Sequence, residues 1–317
     1  MAASLRASFN SCVSAGQTIG SGIYGLLTNK HAINYWKSSG GRDKALKVAC
    51  ASLDAAREIA KASGASDRTV EGLTKGENLA KAGRDAIAFF NIFAGIIPGL
   101  IQQLKNVYYL AKGLWTGEEV RFKPSASDPT QERPTDYIPA DTQTESHSTE
   151  RVLSLGANFF GAISALGYIV GFGVCRPIAT LNKYLRDKEG RPLIEMGEGA
   201  TKLGQAFGTV MFGHHLADIS SSGFKFGYDY KAFERGCKEY RRASADYRRA
   251  RPHHLQNMYN DYKKAVTDNA LNVVEKTLEL GLDVAVLSGK AAPAWFRCPA
   301  AIGIGLIGVY KEWRKTA

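Results

Sequence analysis

The residues spaced like a cofactor cradle come early. Gly20-Ser21-Gly22-Ile23-Tyr24-Gly25 has the Gly-x-Gly-x-x-Gly pattern, and Asp43 stands near the place of a ribose-binding acid. That chemistry needs a strand before the glycines and a helix after them, so that backbone amides surround a pyrophosphate. Ser11 to Thr18 is polar and poor in strand formers, and no alternation of strands and helices follows. Cofactor binding is therefore not expected. His214 and Asp218 stand four apart, which puts two metal ligands on one helix face. Without a third ligand in view, a polar helix contact is the simpler reading. His253-His254 follows Pro252 and reads as a loop. There is no nucleophile elbow, no Walker loop and no pair of carboxylates in an apolar setting. The expectation is a chain that is not an enzyme, with no catalytic residue, no metal and no cofactor.

A different chemistry is written between Phe224 and Lys264. Phe226, Tyr230, Phe233, Cys237, Tyr240, Ser244 and Tyr247 recur at steps of three and four, an aromatic stripe on one helix face. The other faces hold Lys231, Arg235, Lys238, Arg241, Arg242, Arg248 and Arg249. Cations of this kind attract anionic lipid headgroups at ~1 kcal/mol each, while an aromatic edge enters the interface. Those seven cations, with Tyr240 and Tyr247, are the candidate lipid contacts. The same stripe would equally pack on a neighbouring helix and leave its charges solvated. Nucleic acid is a weaker reading, because no recognisable nucleic-acid motif accompanies the charge.

The elements that must position these residues are helical. The chain has 317 residues and a net charge of +11, enough length to bury a core. Its 33 glycines are the outlier, and many sit inside apolar runs. A glycine in a water-soluble helix costs about 1 kcal/mol relative to alanine, whereas in a membrane it lets helix backbones approach. Five scattered cysteines without a Cys-x-x-Cys argue against a disulfide framework or zinc site and for a reducing compartment. No secretory signal is visible, and the acid-free, serine-spaced start reads as an address or an ordinary chain end.

Residues 116–150 carry eight acids against three bases, a local charge of −5, in a Pro/Ser/Thr-rich context. They read as a flexible acidic linker, which leaves +16 on the rest of the chain. The expected organisation is then a helical region at 1–115, the linker at 116–150, a hydrophobic helical region at 151–222 and basic amphipathic helices with an apolar end at 223–317. Leu46, Ala49, Leu53, Ala56 and Ala60 mark a helix over about 42–62, ended by Ser63-Gly64, with Ser66 or Asp67 capping the next. Residues 86–104 are uncharged and just long enough to cross a hydrocarbon core of ~30 Å, with Pro98-Gly99 expected to kink them. Residues 152–175, uncharged between Arg151 and Arg176, are the best membrane-spanning candidate. The alternative is a glycine-rich helix buried in a soluble bundle. Gly167 and Gly171 in this segment, and Gly303, Gly305 and Gly308 near the end, are spaced for close helix packing. The fold class is all-α: a helical, membrane-associated protein with glycine-rich hydrophobic segments.

Two stretches carry a family likeness. Ile33 through Lys47, with Gly41-Arg42-Asp43-Lys44 at its centre, resembles the N-terminal Gly-Arg-Asp-Lys segment of the peroxin-11 family. The helix over 278–287 and the glycine-spaced run closing in Ile307-Gly-Val-Tyr-Lys-Glu-Trp313 are similar to its C-terminal end. Lys75 through Arg84 is loosely similar to the family's basic helix. The likeness covers about a third of the chain and matches in order. Arg42, Asp43 and Lys44 occupy the first motif, and Gly303, Gly305 and Gly308 the last. The resemblance implies a peroxisomal membrane protein of elongation, proliferation and fission, self-associating and working with organelle-division machinery. The greater length, the acidic linker and the arginine-tyrosine segment depart from the pattern. The same residues also suit a secreted bacterial protein inserted in a host-derived vacuole membrane as an interaction scaffold, or a soluble helical adaptor.

Overall fold

The computed structural model describes residues 30–116, 119–122, 134–138, 146–178, 198–242, 253–288 and 292–316. The elements are α1 (Lys30–Lys37), α2 (Ser39–Ala62), α3 (Asp67–Asn91), α4 (Ile97–Thr116), β1 (Glu119–Phe122), β2 (Pro134–Ile138), α5 (Ser146–Val170), α6 (Glu198–Arg242), α7 (His254–Leu287) and α8 (Ala294–Thr316). The fold is all-α apart from one hairpin. That hairpin lies within the expected linker, where β1 and β2 pair antiparallel, with Val120 opposite Tyr137 and Arg121 opposite Asp136.

Local chemistry sets the helix ends. The Ser38 hydroxyl caps α2 by accepting from the Gly41 N–H at 2.8 Å. Ser66 caps α3 through the Thr69 N–H. Between them Gly64 takes φ +71°, the left-handed conformation that stops α2 after Ser63.

Pro98 does not interrupt its helix: one π-helical turn, Ile92–Ile96, joins α3 to α4, and Asp67–Thr116 runs as one 50-residue helix. A second π turn, Gly171–Cys175, follows α5. Each ends one residue short of a proline. The last N–H of each turn, Ile97 to Ile92 O and Arg176 to Gly171 O, reaches back five residues. The wider turn makes room for the proline ring and the missing donor of Pro98 and Pro177.

The division expected at 222/223 falls inside α6, which runs unbroken for 45 residues. Ser221 and Ser222 are buried there. Ser221 Oγ donates to Ala157 O of α5 at 2.8 Å, and Asn272 Nδ2 of α7 donates to Ser222 Oγ at 2.7 Å.

The long helices close into a ring. α2 packs on α3, the α3–α4 helix on α5, α5 on α6, α6 on α7, α7 on α8, and α8 back on α2. Neighbours run antiparallel, as Arg57–Glu77 and Asp43–Arg84 show for α2 and α3, and Glu150–Arg235 and Ser164–His214 for α5 and α6. The apolar core proper is small: Ala88, Ile92, Phe172 and Met211, where the two π turns meet.

Candidate functional site

The outside of the ring is apolar. Two helices are long and apolar enough to cross a membrane, Asp67–Thr116 and Thr149–Ile178. Only 11% of the first helix's apolar window is buried, and 39% of the second's. A soluble core helix would be mostly covered. Phe93, Ile101, Leu104, Tyr108 and Trp115 form one outward stripe, and Phe159, Ile163, Leu166, Val170 and Val174 the other. Asp85–Arg176 at one end and Asn106–Asn158 at the other fix their antiparallel register. The uncharged stretch of 86–104 measures about 28 Å at 1.5 Å per residue, close to a hydrocarbon core. Exposed Lys105, Tyr108, Lys112 and Trp115, the last 92% exposed, lie at its far end. Aromatic rings and lysines of this kind sit at membrane–water interfaces. Leu216 of α6, Val274 and Val284 of α7, and Leu306 and Tyr310 of α8 continue the apolar exterior around the ring.

The inside of the ring is charged. Glu275, fully buried, accepts from Lys44 at 3.4 Å and from Lys311 at 2.9 Å, with Lys47 at 3.8 Å. Glu279 is shared by Lys47, by Lys276 at 2.9 Å and by His215 Nε2 at 3.0 Å. His215 Nδ1 lies 2.6 Å from Asp283 Oδ2. With a carboxylate on each ring nitrogen, both nitrogens donate and His215 is an imidazolium. Its neighbour His214 has Nδ1 2.8 Å from the Ser164 carbonyl oxygen. Arg84 donates to Asp43 at 3.1 Å, and Arg57 joins Asp54, Glu58 and Glu77.

This network surrounds a cavity of ≈410 Å³, lined by α2, α3, α5, α6, α7 and α8. Asp43 and Lys47 come from α2, Arg84 from α3, Tyr168 from α5, His214 and His215 from α6, Lys276 and Glu279 from α7, and Ile304 from α8.

The residues singled out in the sequence divide among these settings. Asp43 and Lys44 belong to the inner network, whereas Arg42 is exposed. An added Cβ at Gly167 would lie 2.9 Å from His214 Cβ, and one at Gly171 2.7 Å from Met211 Sδ, so both mark close contact of α5 with α6. Gly305 and Gly308 face Val48 and Lys44 of α2 at 2.8 and 2.7 Å, while Gly303 meets Leu278 only at 3.8 Å.

Of the basic segment the structure describes the end of α6, to Arg242, and the start of α7, from His254; the two pack together, with Phe233 stacked on Tyr262 at 4.6 Å and Tyr240 beside His254 at 5.7 Å. The Arg235 guanidinium forks the buried Glu150 at 2.9 and 3.0 Å, the partner that carboxylate requires. Lys231 and Lys238 both pair with Glu234, and Arg241 and Arg242 are exposed. Arg248, Arg249, Tyr247 and the glycine pattern of 20–25 lie outside the described residues. Among those residues no group of three or more His, Cys, Asp and Glu is placed to hold a metal ion.

Sequence reasoning missed Glu275, Lys276, Glu279 and Asp283. Their signal was present, as charges repeated at three- and four-residue steps inside an otherwise apolar helix. Comparison with known protein families, characterised proteins and solved structures returns no match to this chain.

Proposed function

We propose that this chain is a helical membrane protein whose ring sits in the bilayer, shaping or elongating an organelle membrane and scaffolding partners there. The observation that carries the reading is the inverted distribution of side chains. Between Ala270 and Leu287 of α7 every charged side chain is at most 16% exposed, while Val274, Val284 and Leu287 are exposed. Water favours the opposite arrangement; hydrocarbon favours this one, because a charge in lipid must face the bundle interior.

One end of the ring is basic as well. There the end of α4, the start of α5, the end of α6 and the start of α7 gather exposed Lys105, Lys112, Arg241, Arg242, Lys263 and Lys264. This collar favours anionic headgroups of one leaflet. Unequal attraction between leaflets supports a role in bending. The resemblance of 33–47 and of the C-terminal segment to the peroxin-11 family supports the peroxisome as the membrane concerned. Outward small residues such as Gly213 and Gly223 support self-association.

Alkaline carbonate extraction of cells expressing the full chain tests membrane integration. The protein is expected to stay in the pellet. Release as a monomer that remains dispersed without detergent would replace this reading with the soluble adaptor. A tagged copy should co-localise with a peroxisomal marker and alter peroxisome length when overproduced. Localisation to another membrane leaves integration standing and removes the organelle.

A further inference from the structure

The central cavity is independent of the membrane-facing surface. Its ≈410 Å³ falls within the ~300–1,000 Å³ usual for small-ligand sites. The wall has two chemistries. Phe172, Phe207, Met211, Leu282 and Ile304 supply hydrocarbon and rings, and Lys47, Arg84, His215 and Lys276 supply cations.

Charge around the cavity is uneven. Among the described residues six cations (Lys44, Lys47, Arg84, His215, Lys276 and Lys311) share five carboxylates (Asp43, Asp218, Glu275, Glu279 and Asp283). Glu279 by itself contacts three of them, Lys47, Lys276 and His215. An excess of one sign of charge is costly in a low dielectric, and an anion at the lining cations Lys47 and Arg84 would relieve it.

We propose that the cavity binds a single-chain amphiphile with a monoanionic carboxylate head, the class of a free fatty acid. The carboxylate lies toward Lys47 and Arg84 and supplies the missing charge. The chain lies against Phe172, Phe207 and Met211, where the π turns meet. A headless alcohol leaves the charge unbalanced, a cationic head adds to the excess, and inorganic phosphate cannot fill the apolar half. The side chain of Lys81 is 47% exposed, and those of Arg84 and Arg176 are partly so. They stand where 86–104 begins, so an amphiphile entering from the membrane interface meets cations first.

Cys50 lines the cavity and is half-buried, which gives a local reporter. The full chain in neutral-lipid nanodiscs would be alkylated with N-ethylmaleimide and each cysteine followed by mass spectrometry. Dodecanoate should slow Cys50 modification roughly tenfold, the factor for a ligand at about ten times its Kd, and leave Cys237 unchanged. Dodecanol, dodecyltrimethylammonium and inorganic phosphate should protect little. Equal protection by the alcohol or the ammonium, protection by phosphate alone, or no protection by dodecanoate would each overturn the proposal.

Leu282→Trp, at a half-buried lining position, should abolish protection while keeping the helical circular dichroism. Retained protection in that variant would place the ligand elsewhere. Dodecanoate carried by the wild-type protein in native mass spectrometry supplies a second measurement that needs no variant. Carbonate resistance scores the membrane reading separately, so either result stands without the other.

Discussion

The α4–α5 pair and the α2–α7–α8 group hold helices together in contrasting ways. Where α4 meets α5 the contact is neutral. Asn106 Nδ2 donates to Asn158 Oδ1 at 3.0 Å with both residues fully buried, and the large apolar side chains face outward. Where α2 and α8 meet α7 the contact is ionic, with Lys44, Lys47 and Lys311 converging on Glu275 and Glu279. In water the first pair would waste its apolar area and the second would carry a desolvation cost. In lipid the exterior of the first is solvated by hydrocarbon, and the second becomes the glue. Hydrophobic burial then ceases to be the main force between helices, and polar contacts and close packing replace it.

The largest effect should come from the ionic side. Glu275→Leu leaves Lys44 and Lys311 without their shared carboxylate, and losing one partner of a buried pair costs about 3–5 kcal/mol. Phe93→Leu on the exposed stripe should stay within about 0.5 kcal/mol. Unfolding of both variants in the same detergent compares the two regions directly. Similar losses in both would mean that the α4–α5 exterior is a packed interface, not a lipid-facing one.

The contrast also explains what was legible in the sequence. Ser63-Gly64, the Ser66 cap and the uncharged runs of 86–104 and 152–175 are local signals, and each appears where its residues place it. The charged interior is not local. Lys47 and Glu279 are 232 positions apart, and a search for apolar stripes passes over a helix whose ordered face is the charged one. The pairing of Arg235 with Glu150, 85 positions away, is hidden for the same reason. Pro98 shows a third limit. A proline in an apolar helix signals a break, yet a single π turn absorbs it and the helix continues to Thr116.

Close packing comes next. Gly167→Ala adds a Cβ that would lie 2.9 Å from His214 Cβ and 3.3 Å from its Cα, so α6 must move away. Overpacking of this kind costs about 1–3 kcal/mol. Gly213→Ala on the same helix pair meets nothing within 4 Å and should stabilise α6 slightly through propensity. If both substitutions destabilise the protein equally, Gly213 also faces a helix, and a second copy of the chain is the natural candidate. Size-exclusion chromatography with light scattering on the Gly213 variant would show it as a smaller assembly.

The smallest effect probes the basic end of the ring. Arg241 and Arg242 are exposed at the end of α6, unlike Arg235, which is committed to Glu150. Replacing both by glutamine removes two attractive charges, at about 1 kcal/mol per charge near an anionic surface. Binding to vesicles with anionic lipid should weaken by one to two orders of magnitude at low salt, by roughly that arithmetic. Binding to neutral vesicles should not change, because the apolar stripes of α4 and α5 remain. The difference between wild type and variant should shrink as salt rises and the Debye length falls. Arg235→Glu must be read differently. It places two carboxylates together at a buried site and should unfold the α5–α6 contact before any lipid is met. A loss of vesicle binding from Arg235→Glu without loss of thermal stability would return that arginine to the surface and undo the distinction between the two ends of α6.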